Sequence, residues 1–181
     1  MNEHIPAVDA TSGNVRTEID LTSKREFLWN VHSYTNDYVQ FADTKAAFCV
    51  GIATALMAAL FASKAHDLFR SGGHPILAGL SLGAFVLLAI SMGAAVMVVR
   101  PRDKESEDGL VFWKDIAGRD TADLFVSEYS AQTERDLNRS LSVHLYDLAR
   151  VCIRKYFWVN VATFAGAAGS ALAIIALLFK P

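Results

Sequence analysis

The feature that most limits what this chain can fold into is the absence of Asp, Glu, Lys and Arg from three long stretches, Ala46–Ser63, Ser71–Val99 and Tyr156–Phe179. They are 18, 29 and 24 residues long, and a helix needs about 18 to 20 mainly apolar residues to cross a bilayer. The same clustering accounts for a composition that is 52% hydrophobic and only 20% charged. A fibrous chain, a disordered chain, a disulfide scaffold and an ordinary soluble enzyme are thereby set aside. The expected fold is an all-α membrane protein with three transmembrane helices, two of them continuous with cytosolic helical stalks, plus a small helical cytosolic insertion.

Removing the three stretches leaves two polar blocks, residues 1–45 and 100–155, and their cations set the orientation. The blocks hold 4 and 10 Lys+Arg, against Lys64, Arg70 and Lys180 on the other side. Positive residues collect on the cytoplasmic face of short loops, so the N-terminus and the 100–155 block are expected in the cytoplasm and the C-terminus outside. The protein is then multi-pass, with both polar blocks on the same side of its membrane. Residues 1–22 lack the basic start and apolar core of a signal peptide and read as a flexible polar arm.

Local signals divide the rest. Ser23-Lys24-Arg25-Glu26 fits a capping box, which predicts a stalk helix over 23–45 running into a first span at 46–63. A periplasmic loop follows at 64–74. Pro75, tolerated in a first helical turn, opens the second span at 75–99, and Pro101 discourages continuation. In the cytosolic region 100–155, Leu110–Ala117 is a short apolar-aromatic stretch and Asp120-x-x-Asp123 opens another short helix. From about Thr133, apolar positions at helical spacing lead without a breaker into the third span at 156–179.

Chemistry-bearing patterns are sparse. Cys49 and Cys152 share no metal-like spacing, and none of the five histidines falls in a zinc motif, so neither a metal site nor a cofactor is expected. Gly79-Leu80-Ser81-Leu82-Gly83 matches a hydrolase elbow, yet it lies inside an apolar helix where the elbow needs a strand-to-helix turn. No catalytic residue is assigned and the chain is not read as an enzyme. Those residues also form Gly79-x-x-x-Gly83, a small-residue face for close helix packing, echoed by Ala47 and Gly51 and by Gly166 and Ser170. Assembly into a homo-oligomer through such faces is the expectation. No charged residue sits at mid-span, where ion pathways place one. Any permeability must come from several copies together or from disturbed lipid.

Lys45, Arg100, Arg102, Arg154 and Lys155 each end or begin a span at the cytoplasmic boundary. They anchor spans to lipid headgroups, or they converge as a cationic ring on an anionic ligand. In the second case Lys45, Arg102 and Arg154 hold the anion, Trp113 supplies a stacking face and Asn36 an amide able to read a base edge.

Phe41-Ala42-Asp43-Thr44-Lys45-Ala46, Arg100-Pro101-Arg102, Phe112-Trp113-Lys114-Asp115-Ile116-Ala117 and Arg154-Lys155-Tyr156, in this order, resemble the transmembrane effector family of the Pycsar antiphage system. The resemblance covers roughly residues 25–175. It implies that a partner pyrimidine cyclase makes cyclic UMP or cyclic CMP on infection, that the effector senses it on the cytosolic side, and that it then damages the inner membrane, causing abortive infection. The partners implied are a lipid bilayer and a cyclic pyrimidine nucleotide, with no nucleic acid. The alternative is a non-enzymatic structural or accessory membrane subunit that assembles through its small-residue faces.

Overall fold

Residues 10–63, 75–100 and 110–179 are described by a computed structural model. Five helices follow one another in these segments: α1 (Ala10–Ala62), α2 (Pro75–Val99), α3 (Trp113–Ala117), α4 (Ala122–Ser130) and α5 (Glu134–Leu178). No strand occurs among the described residues. α1, α2 and α5 are each long and apolar enough to cross a membrane, so the chain is an all-α membrane protein. The loop at 64–74 lies outside the described residues.

The first helix starts earlier than expected. Ser23 lies inside α1 rather than at its head, and residues 10–22, expected as a polar arm, are helical. A capping box marks a place where a helix can begin, but it does not stop one already running, and no proline interrupts Ala10–Ala62. The helix after Gly118 is capped by Thr121 instead of opening at Asp120. The Thr121 side chain accepts from the Leu124 N–H at 3.2 Å. At the head of α5, Thr133 and Asp136 form a reciprocal box, with each side chain accepting from the other's backbone N–H at 3.3 Å.

Two compact units divide these helices. A membrane unit contains residues 36–103 and 150–181, and a polar unit contains residues 1–35 and 104–149.

In the membrane unit the usual distribution of side-chain size is inverted. The buried positions are mostly small: Ala42, Ala46, Ala94, Ala95 and Ala162 with Val98 and Val159 in one cluster, and Ala53, Ala84, Ala173 and Ala176 with Leu60 and Leu88 in the other. Phe48, Phe61, Ile76, Phe157 and Phe164 face outward, each at least 60% exposed. Water would make that arrangement costly. In lipid, apolar side chains gain nothing by turning inward, and helices associate by close backbone approach over small residues and by hydrogen bonds. Both are present: buried Ser91 donates to the Ala162 carbonyl across α2 and α5 at 2.7 Å, and a Cβ built on Gly166 would stand 2.8 Å from that same Ser91 Oγ. Ser81 Oγ is buried and finds no partner among the described residues.

Aromatic rings and one arginine organise the polar unit. Arg119 donates from Nε to Glu128 at 2.7 Å and from its terminal nitrogen to the Asp115 carbonyl, and its guanidinium lies 5.9 Å from the Phe125 ring centre. It thereby ties α3 to α4. The same unit holds a chain of rings, Trp29–His32–His144–Phe112–Trp113, with successive centroids 5.4, 5.3, 6.3 and 5.8 Å apart.

Within that chain His144 is half-buried. Burial first, and the neighbouring His32 second, push its pKa below the ordinary 6.5, against a smaller opposing pull from Asp147 and Asp115. Below pH 6.5 the unfolded chain therefore binds a proton that the folded unit resists, and stability falls as the pH drops from 6.5 through the depressed folded value. Above 6.5 this residue contributes no slope. We expect the thermal midpoint of detergent-purified protein to fall between pH 7.5 and 5.5, and to fall less in His144→Phe. Equal slopes in the two proteins would remove His144 as the cause.

Candidate ligand site at the membrane edge

The end of the first polar block and the start of the third span meet inside the membrane unit, and the contact is built from short-range helix geometry. On α1, Ala42 and Ala46 are one turn apart and fully buried. This brings the α1 backbone close to its neighbours and sets Asp43 and Lys45 on either side of the seam. Asp43 accepts from Lys155 Nζ at 2.5 Å, where the Lys155 side chain is 16% exposed and Asp43 39%. Lys45 Nζ lies 4.4 Å from the Phe41 ring centre and 5.8 Å from that of Tyr156. Tyr156 in turn packs on Tyr38 with centroids 6.0 Å apart.

Two of the four sequence fragments carrying the family resemblance, Phe41–Ala46 and Arg154–Tyr156, are thus halves of one clasp. Asp43 holds Lys155, and Tyr156 lies within cation–π range of Lys45. Spacing alone could place these cations at one depth. It could not reveal that Lys155 is committed to a carboxylate and Lys45 to two rings.

Beside the clasp, Arg100, Arg154 and Lys155 line a cleft with Met97, Val98, Val99 and Val151, of about 110 Å³. That volume admits a phosphate-sized anion and falls short of the roughly 300 to 1,000 Å³ of sites that enclose whole small ligands. Of the residues expected to form a nucleotide site, Lys45, Arg154 and the partly buried Asn36 belong to the membrane unit, whereas Trp113 belongs to the polar unit. Trp113 is 67% exposed and packs on Phe112. Arg102 lies outside the described residues.

Among the described residues no three His, Cys, Asp or Glu side chains gather as metal ligands. Cys49 and Cys152 are both free thiols. Burial pushes the Cys152 thiol pKa up, opposite to what an activated nucleophile needs.

A larger opening has no clear signature in the sequence. In the polar unit a groove of about 660 Å³ runs between α1 and α5, with Phe27 and Leu28 on one wall and Arg135, Asn138 and Arg139 on the other. The available signal is the Arg135-x-x-Asn138-Arg139 spacing, which puts three polar side chains on one helix face. Nothing in the residue pattern ties that face to Phe27.

The Pycsar effector protein SaPycTM of Staphylococcus aureus is 27% identical to the chain over 158 residues, covering 87% of this chain and 96% of that protein. No solved structure matches. The family model of the Pycsar effector protein domain matches residues 27–180, which takes in all three spans and the clasp, and this chain therefore belongs to that family of transmembrane antiphage defence effectors.

Proposed function

We propose that the chain senses a cyclic pyrimidine mononucleotide, cyclic UMP or cyclic CMP, on the cytosolic side of the bacterial inner membrane and then impairs that membrane, causing abortive infection. The observation that carries the reading is membership of the effector family over residues 27–180. An effector of a cyclic-nucleotide system needs a ligand-responsive part and a membrane-acting part. Here α1 and α5 each run without a break from residues of the polar unit into apolar spans. A ligand that favours one arrangement of those helices shifts its population in proportion to the difference in affinity.

Ligand binding and membrane damage are the chain's own roles in this reading, and no step calls for catalysis. The spans carry no Asp, Glu, Lys or Arg of their own, so damage comes from several copies acting together or from disturbed lipid. Open space at Gly51 and Gly79, with nothing within 4 Å of an added Cβ, leaves these small-residue positions available for contact between copies.

The test is reconstitution. Proteoliposomes of the full chain should release an entrapped dye when cyclic UMP or cyclic CMP is added outside correctly oriented protein, and not with cyclic AMP. Reporters in cells should be active in the periplasm at Gly72 and after Pro181 and inactive at Ser106. No leakage with either pyrimidine nucleotide, or an active reporter at Ser106, would sink the reading.

A further inference from the structure

We infer that the groove between α1 and α5 in the polar unit is the nucleotide-binding site, holding the phosphate on Arg135 and Arg139 and the base against Phe27. This rests on the nucleotide-sensing reading and names the residues that would carry it.

Size comes first. At about 660 Å³ the groove lies within the range of sites that enclose small ligands, while the membrane-edge cleft of about 110 Å³ does not. Charge comes second. Lys24 is neutralised by Asp20 at 2.5 Å, and Arg25 on the same helix is paired with Glu134 at 3.3 Å. Arg135 and Arg139, one turn apart on α5, make no ion pair among the described residues. The field of Asp136 reaches both, but its carboxylate is bonded to Thr133. Two guanidinium groups on one helix face suit a single phosphodiester, whose oxygens accept charge-assisted hydrogen bonds.

Shape and base chemistry come third. Phe27 lines the groove and is 66% exposed, so its ring is open to a ligand there. An aromatic face stacks a base whatever its identity. Asn138 stands one turn after Arg135 and beside Arg139, with a side-chain amide that offers both donors and an acceptor. A pyrimidine edge presents both kinds of group. Phosphate, base face and base edge are thus each matched by a residue type suited to it, in one groove and from two helices.

The experiment is calorimetric titration of the full chain in nanodiscs with cyclic UMP and cyclic CMP, with inorganic phosphate as a separate titrant. We expect Arg139→Ala and Phe27→Ala each to weaken binding of the preferred nucleotide by roughly 5- to 150-fold. Arg139→Lys should also weaken it by several-fold, because an ammonium does not reproduce the guanidinium fork. Unchanged circular dichroism and melting midpoints would show that these exposed substitutions leave the fold intact. Wild-type protein that binds neither nucleotide would overturn the sensing reading itself. Wild-type binding that persists within twofold in both Arg139→Ala and Phe27→Ala would overturn the groove alone. The groove would equally be overturned if Arg154→Ala abolished binding while Arg139→Ala did not, which would return the site to the membrane edge. Phosphate binding as tight as that of the nucleotide would also overturn it, since a generic anion patch would explain the arginines.

Discussion

Gly169→Leu should strongly destabilise the packing of the membrane unit. An added Cβ at Gly169 would stand 3.0 Å from Leu88 Cγ and 3.1 Å from Leu87 Cβ, and Leu88 is fully buried in the cluster that joins the three spans. Leu87 Cβ is fixed by the α2 backbone and cannot turn aside as a side-chain tip can. The helices must separate instead, losing dispersion contacts along the seam. Overpacking of this kind costs about 1–3 kcal/mol where the surroundings can adjust, and here we expect the upper end or beyond. The measurement is the unfolding midpoint of purified protein in mixed micelles as the denaturing detergent fraction rises. Gly79→Leu is the control, because nothing lies within 4 Å of an added Cβ there and its stability should stay within about 0.5 kcal/mol of wild type, as for an ordinary surface change. If Gly79→Leu also keeps its stability but no longer leaks dye, the open face is used between copies. Equal midpoints for Gly169→Leu and wild type would refute the close α2–α5 contact.

The contrast between Gly169 and Gly79 marks how far the residue pattern reaches. The three spans are legible because the absence of charge over 18 or more residues has few other physical causes, and Pro75 marks its helix start because an N-terminal turn tolerates a missing N–H. The small-residue motifs are legible as a type of surface, but their direction is not. Gly79 opens to empty space, Gly83 meets the movable tip of Leu172 at 3.3 Å, and the tight contacts fall at Gly166 and Gly169. A helix shows the same small-residue spacing whether it faces a neighbour or lipid.

The candidate site is harder to read for a related reason. Counting cations at one depth treats Lys45, Arg154 and Lys155 as interchangeable. Their availability depends on partners more than a hundred positions away, such as Asp43 for Lys155. Trp113 offers a suitable ring, yet its unit is not that of Lys45 and Arg154. In the groove, Arg135 and Arg139 look like an ordinary solvated helix face until α1 supplies Phe27 opposite them.

Reversing the charges of the clasp should first break it and then restore it. Asp43→Lys would leave two ammonium groups facing one another where Lys155 is only 16% exposed, with Lys45 close by on the same helix. Bulk salt screens a pair this sheltered less than it screens surface charges. Breaking a buried pair costs about 3–5 kcal/mol. Asp43 is more than a third exposed, so solvent screening lowers the expected loss to about 2 kcal/mol, with a matching loss in Lys155→Asp. The double variant Asp43→Lys/Lys155→Asp places an ammonium and a carboxylate opposite each other again and should recover more than half of that loss. With each single variant losing about 2 kcal/mol and the double less than about 1 kcal/mol, the double-mutant cycle gives a coupling energy of about 3 kcal/mol. Unfolding midpoints in mixed micelles give the cycle, and dye leakage reports whether the clasp serves function as well as stability. Strictly additive losses would mean that Asp43 and Lys155 act independently, each through contact with water or headgroups.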